Sequence, residues 1–480
     1  MWFPKRRRAR PEPYLRRRVC LFALFFFQCQ IVLGQVQRPP APQFSLMQLR
    51  LVPINPAGRS TGLGGAFIGV ADDATAAAIN PAGLSFLLRP EISLSHALGR
   101  RARDFPAGRE EERRRSHFVF DQTFVNIVYP HRGFTFAFYR QVAFRSAFDF
   151  SRQQFLTLAP ARPLTLEEQL GASGNFPGIA SEFYSEVIHN ALVIAKALHR
   201  RYRVGVTIRA TQFHLRLHEQ HYFDPGLWLR SSFNESNNRL SANRAEGLYR
   251  IYHLQKNDFA PSWSLGLVAE LHPHLKVGVV YQYLPTFNVE NRITLPAYTL
   301  PDRTPADGRD DAIRFTPQEI SVPFQFDLPD HIGVGLAWKP NSRTLLAADA
   351  VLFRNHTLLR HLSQDLPQDD QPAGNGGYFD PDGPHDVRVK NLLAWRGGLE
   401  YTMFKWKHNF PVRFGFYAEP NFGLQAISGD VNLKKEYPDE SAYFHFTGGF
   451  GLILKNVRFE TSVDLSSTLI EAVGSAVVSF

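Results

Sequence analysis

Cysteine is nearly absent from this 480-residue chain: there are two, Cys20 and Cys29, both in the first 34 residues. A disulfide-stapled secreted scaffold is thereby excluded. Long hydrophobic runs are missing too. Past residue 34 none approaches the ~20 apolar residues of a membrane-spanning helix, and mean hydropathy is −0.23. A polytopic helical membrane protein is excluded. Aromatic residues, by contrast, make up 13% of the chain, which is incompatible with disorder.

The formal charge of +10 suggests a nucleic-acid partner until its location is read. Eight basic residues crowd between Lys5 and Arg18, followed by an apolar run from Val19 to Leu33. That is the build of a secretory signal over residues 1–34, with Val32 and Gly34 small enough to precede a cleavage at Gln35. At about 15 residues the run is short for a membrane span. Removing the eight basic residues and Glu12 from totals of 54 and 44 leaves 46 and 43, about +3. No nucleic-acid partner is expected, and the mature chain has no cysteine.

From residue 91 onward the pattern has period two, the signature of strands with two unlike faces. Phe459, Thr461, Val463 and Leu465 alternate with Arg458, Glu460, Ser462 and Asp464. Ile332, Val334, Leu336 and Trp338 alternate with Gly333, Gly335, Ala337 and Lys339. Fourteen such segments are expected between 91 and 480. Most are close to the ~9–11 residues of a tilted strand crossing a bilayer. Short connections, such as His199-Arg200, His272-Pro273-His274 and Lys455-Asn456, alternate with long polar ones at 99–117, 149–182, 218–260, 291–328, 355–390 and 421–441. This rhythm, the even strand number and the terminal strand ending at Phe480 predict a transmembrane antiparallel β-barrel over 91–480, with short periplasmic turns and long outer loops. A soluble sandwich would alternate faces without that rhythm. Thr211 to Leu217 shows the apolar face switching from even to odd positions, which a bulge or a strand end would explain.

Residues 35–90 differ. Gly62, Gly64 and Gly65 permit tight turns. Asp72 or Asp73 is placed to cap a short helix over Ala74–Ile79. Asn80-Pro81-Ala82-Gly83 ends it, because Pro81 restrains Asn80 to extended geometry. Ile54-Asn55-Pro56-Ala57-Gly58 repeats the second motif. Together these small residues make a compact plug.

The stretch Ser60-Thr61-Gly62-Leu63-Gly64-Gly65-Ala66 … Ala71-Asp72-Asp73-Ala74 … Asn80-Pro81-Ala82-Gly83-Leu84 resembles the hatch of the long-chain fatty acid outer-membrane transporter family (FadL-like). Segments 262–283, 327–353 and 397–420 are similar to its later strands. The resemblance implies a fourteen-stranded barrel with a lumenal hatch and passive uptake of hydrophobic molecules such as fatty acids or hydrocarbons. It also implies movement of the hatch, built on Gly62, Gly64, Gly65, Asp72, Asp73, Asn80, Pro81, Ala82 and Gly83, and release through a gap in the wall. Phe480 would be the signal for the barrel assembly machinery. Outer-membrane lipid is an expected partner, and lipopolysaccharide phosphates would meet the arginines of 100–115. Shuttle proteins of type IX secretion share the hatch-like pattern, so a barrel that docks proteins without transport is the alternative.

Apolar capture is consistent with Phe134, Phe136, Phe138, Phe144, Phe148 and Phe155, although lipid-facing residues would look the same. Arg140, Arg145, Arg209 and Arg413 are candidate carboxylate partners or lumenal ion pairs. Gly58-Arg59-Ser60-Thr61-Gly62 matches the G-x-S-x-G of a nucleophile elbow but lacks the required strand-to-helix context. His214, His218 and His221 do not share one strand face as metal ligands would. No catalytic residue, metal site or cofactor is expected.

Overall fold

The computed structural model describes residues 53–104, 114–152, 178–223, 247–299, 314–354, 391–405, 408–420, 442–467 and 469–480, with two-residue pieces at 155–156, 175–176, 387–388 and 425–426. All fall in the compact unit Ala41–Phe480; the unit Met1–Pro40, with the expected leader, lies outside the described residues.

One sheet of sixteen strands makes the body. They are β1 (Glu91–Asp104), β2 (Arg114–His131), β3 (Phe134–Arg152), β4 (Gly178–Ala197), β5 (Tyr202–Phe223), β6 (Gly247–His272), β7 (Leu275–Tyr283), β8 (Thr286–Thr299), β9 (Arg314–Asp327), β10 (His331–Trp338), β11 (Thr344–Phe353), β12 (Leu392–Lys405), β13 (His408–Pro420), β14 (Ala442–Ile453), β15 (Val457–Leu465) and β16 (Leu469–Ser479). Neighbours pair antiparallel. β1 pairs with β16 from Glu91↔Ser479 to Arg101↔Leu469, and β6 pairs with β7 from Trp263↔Tyr283. All strands but β8 and β9 thus close into a fourteen-stranded barrel. Closure leaves no continuous open edge, which is what lets a sheet stand in lipid.

Two expectations need correction. The chain from 275 to 290 is not one strand, and 329–339 has a partner before it. Leu284-Pro285 interrupts the first and Leu328-Pro329 the second, because proline has no N–H for a ladder. Asp330 ties the breaks together: its carboxylate accepts from Leu284 N at 2.8 Å and Tyr281 Oη at 3.0 Å. Beyond the breaks, β8 and β9 pair with each other as a hairpin. Strands also run far into the expected loops. β6 has 26 residues where the sequence suggested 261–271. Past the apolar belt the outward positions turn polar, so alternation no longer reads as strand.

Thr211–Leu217 contains no bulge. The odd residues of β5 face inward from Gly205 to Glu219, in unbroken register with β4. The polarity inverts instead. Near the short turns the outer face is apolar (Val206, Ile208) and the inner face polar (Thr207, Arg209, Thr211). Further out the inner face becomes apolar (Phe213, Leu215, Leu217) and the outer face polar (Gln212, His214, Arg216). The outward belt includes Leu192, Ile208, Leu265, Val334, Phe414 and Phe446, all exposed. A surface of that kind is stable only against hydrocarbon.

Candidate functional site

The barrel interior has two levels. The level near the short turns is filled by the N-terminal segment. Helix α1 (Gly58–Gly62), helix α2 (Ala76–Ile79) and a 3-10 turn (Pro81–Phe86) are joined by tight turns, with Gly64 and Gly65 at φ of 63° and 74°. Both Asn-Pro-Ala-Gly motifs lead into helical turns. Asn80 is extended, with φ −142° and ψ 102°, and its side chain accepts from Ala82 N at 3.3 Å. Asn80 Nδ2 donates to Ile68 O at 3.0 Å and to Leu267 O of β6 at 3.3 Å.

Of the two aspartates, Asp73 caps the turn that leads into α2: its carboxylate accepts from Thr75 N at 2.9 Å and its carbonyl from Ala76 N at 3.0 Å. Asp72 lies 2.6 Å from Arg59 and 3.1 Å from Lys339. Arg59 also meets Asp73 at 2.9 Å and Glu400 at 3.0 Å, and Arg413 joins Glu400 at 2.6 Å to Glu460 at 3.2 Å. Burial opposes the Arg59 charge, but the surrounding carboxylates outweigh it and hold its pKa well above the usual value. For Asp72, burial favours the neutral acid; Arg59 and Lys339 overcome this and hold it far below the carboxylate range. Removing Arg59 from this buried network would cost about 3–5 kcal/mol.

Glycines on inward strand faces receive the segment, a role not evident from the sequence. A Cβ at Gly205 would lie 2.4 Å from Pro81, one at Gly278 2.2 Å from Ile68 O, and one at Gly415 2.2 Å from Gly64 N. Gly83 has the same constraint toward Ala71 O, at 2.0 Å. Asp349 of β11 accepts from Phe67 N at 2.7 Å and Ile68 N at 2.8 Å. Ala82 is buried with them. Ser60 Oγ is engaged by its own turn, donating to Ala57 O at 2.9 Å.

The outer level is apolar. Phe144, Phe183, Phe213, Leu215, Leu217, Leu284, Phe287 and Phe326 pack in one buried cluster. Phe213 lies 5.1 Å from both Phe287 and Phe326. After the two Leu-Pro breaks Phe287 of β8 and Phe326 of β9 pack into this cluster, while β8 rejoins the wall by pairing with β6 from Asn291↔Leu254 to Thr294↔Ile251. Of the phenylalanines proposed from sequence, Phe144 belongs here. Phe134, Phe136 and Phe138 are exposed on the outer wall, and the side chains of Phe148 and Phe155 lie outside the described residues.

Arg209 sits between the levels, 2% exposed on the inward face of β5, four residues from Phe213. Its Nε donates to Tyr139 Oη at 2.7 Å and its Nη2 to Ser264 Oγ at 2.8 Å. Its buried Nη1 has no hydrogen-bond partner among the described residues, and neither has His331 Nδ1. Of the other arginines, Arg140 is exposed and bonds Asn190, and Arg413 is the ion pair described above.

The wall is incomplete beside the cluster. β2 and β3 pair only from Phe124↔Gln141 to the turn. Beyond that, β2 pairs with β1 alone and β3 with β4 alone, and the β3–β4 register shifts between Val142 and Phe144. The free β3 edge is met by the chain leading into the plug: Ile54 N donates to Ala143 O at 2.9 Å, and Pro53 bridges Phe144. Arg145 reaches from β3 to Asp121 on β2 and to Glu186 on β4. Phe480 is exposed, its N–H donating to Pro90 O at 3.0 Å. His214 and His218 face outward on β5. Residues 105–113, most of the charged stretch proposed for lipopolysaccharide, lie outside the described residues.

No family model matches this chain, and no curated protein matches it. Solved structures do. The toluene transporter TodX of P. putida aligns over 90% of this chain and 99% of its own at TM-score 0.54 and 16% identity. The CymD monoaromatic hydrocarbon channel aligns over 90% and 99% at TM-score 0.53 and 14% identity. A FadL homologue of Pseudomonas aeruginosa aligns over 90% and 99% at TM-score 0.52 and 10% identity. At these identities the likeness is one of fold.

Proposed function

We propose that the protein is an outer-membrane channel for passive uptake of hydrophobic molecules, with long-chain fatty acids and monoaromatic hydrocarbons as the substrate classes. The observation that carries the proposal is the buried apolar cluster of the outer level lying directly against the unpaired β2–β3 edge. An apolar solute leaves water by displacing Phe287 and Phe326 from the cluster, and they return when the solute moves on. Burying each large apolar side chain or an equivalent solute surface is worth roughly 1.5–3 kcal/mol, enough to concentrate solutes without an energy source.

Arg209 gives the cluster a polar floor that suits a carboxylate head. The exit is the β2–β3 edge, opened when Pro53 and Ile54 leave Ala143 and Phe144. The rest of the plug stays, because its buried ions and carbonyl contacts tie it to β6, β7, β11 and β12. Hatch movement is therefore local, confined to the residues before α1. Fold neighbours described as hydrocarbon channels support this reading. It predicts that a deletion strain loses uptake of radiolabelled oleate and toluene and regains it with the intact gene. Normal uptake in the deletion strain, with a secreted protein co-purifying on the barrel, would favour the protein-docking alternative.

A further inference from the structure

The barrel is charged asymmetrically. Five short connections among the described residues join its strands at the plug end: Arg132-Gly133, Leu198-His199-Arg200-Arg201, Pro273-His274, Lys339-Pro340-Asn341-Ser342-Arg343 and Leu454-Lys455-Asn456. Every one carries Lys, Arg or His, and none carries Asp or Glu. The expected mature chain is only about +3, so the rest of it is net negative. Acids gather most in the long connection 355–390, with Asp365, Asp369, Asp370, Asp380, Asp382 and Asp386, whereas 99–117 is net basic. Lys339 pairs with Asp72 at 3.1 Å. Arg132, Arg200, Arg201, Arg343 and Lys455 are exposed.

Two further observations specify what the rim faces. Cations lie over exposed aromatic rings at the edge of the apolar belt: Lys196 Nζ stands 4.4 Å from the Phe134 ring and Arg343 Cζ 5.4 Å from that of Phe404. Long basic side chains adopt this posture where hydrocarbon gives way to head groups. A groove of about 490 Å³ also opens on the outer wall, lined by Leu275, Leu336, Trp338, Leu346 and Ala348, with His272 and His274 at its rim. A protein partner would call for a patch on one side. Here the cations encircle the barrel, and the groove beside them is apolar and lipid-facing.

We propose that this rim is a collar for anionic phospholipid: phosphates of the leaflet it faces pair with the turn cations, and one acyl chain lies in the groove beside His274. Juxtamembrane Lys and Arg attract anionic lipid in this way, and the attraction is screened by salt. The collar depends on the barrel spanning a membrane and not on what it carries. It would fix the barrel's depth in a leaflet whose zwitterionic lipids offer no net charge.

The test uses the full chain in nanodiscs of phosphatidylethanolamine with about one-fifth phosphatidylglycerol, releasing bound lipid for mass spectrometry. Phosphatidylglycerol among the retained lipids should be enriched about threefold or more over the bulk. The enrichment should fall to the bulk ratio in R132Q/R200Q/R201Q/R343Q/K455Q, and in the wild-type protein at high salt. A348F, which fills the groove, should lose the most tightly held lipid and keep the remaining enrichment. Heat-modifiable gel mobility reports whether each variant is folded; if the multiple variant is not, the salt series decides. Bulk composition around the wild-type protein, or enrichment indifferent to salt, would overturn the proposal. So would enrichment unchanged in a folded multiple variant.

Discussion

Arg145 of β3 bonds Asp121 of β2 across the stretch of wall where the two strands share no ladder. The pair spans the opening that the proposed route uses, and the same guanidinium is held from the other side by Glu186, at 3.1 Å from Nε. Asp121→Ala should therefore loosen the opening without touching the apolar cluster. A partly exposed ion pair is worth up to about 1 kcal/mol, so initial uptake should rise by up to about fivefold. Oleate uptake in cells with matched surface levels measures it, and a decrease would place Asp121 in capture instead.

Arg209 should separate acids from neutral solutes. A hydrogen bond to a charged group is worth about 1.5–3 kcal/mol, so Arg209→Met should weaken oleate binding by roughly ten- to a hundredfold. Binding of toluene or a methyl ester should be unchanged, since the neighbouring Phe213 cluster stays intact. Calorimetric titration of purified protein reads both. Equal loss for the two ligands would mean that Arg209 supports the chamber generally.

The glycine seats predict a plugging defect. In Gly278→Val the new side chain meets Ile68 O, whose distance from even a Cβ would be 2.2 Å. The barrel should still assemble, with heat-modifiable mobility retained, while the plug loses its seat. Single-channel conductance in planar bilayers should rise, and protease should reach the N-terminal segment.

The ionic clamp sets a pH window. Arg59 and Lys339 depress Asp72, so its contribution is complete above the ordinary Asp pKa and drains away as pH falls below it. Conductance should be flat from about pH 8 to about pH 5 and rise only below about pH 4. A rise near neutrality would show that Asp349, which accepts from Phe67 N and Ile68 N, governs the seat rather than the Arg59–Asp72 clamp.

Much of the fold was legible because lipid enforces alternation. Period two alone sets Phe459, Val463 and Leu465 apart from Glu460, Ser462 and Asp464, and Val334, Leu336 and Trp338 apart from Gly333, Gly335 and Ala337; the structure turns the first set of each strand outward. The ends of the strands were not legible. Above the belt both faces of β6 carry polar residues, and nothing periodic separates strand from loop. The site was legible only in part. The Gly-Ala pattern of 58–84 marked a plug, yet its partner surface, the inward glycines of Gly205, Gly278 and Gly415, read merely as the small face of strands. The repeated Leu-Pro pair at 284–285 and 328–329 was the available signal for the break that separates β8 and β9 from β7 and β10. The face switch in Thr211–Leu217 signalled where β5 passes from polar lumen to apolar cluster. The Asp121–Arg145 contact lies past the end of the β2–β3 ladder, a point that alternation does not mark.

The most direct measurement closes the β2–β3 opening covalently. The expected mature chain has no cysteine, so D121C/R145C can be bridged by a bis-maleimide without other sites reacting. Uptake of oleate and toluene should survive in the unbridged double variant and fall at least about tenfold on bridging, which corresponds to 1.4 kcal/mol or more at the exit step. Uptake at the same rate with the bridge in place would mean that hydrophobic molecules do not leave through this wall.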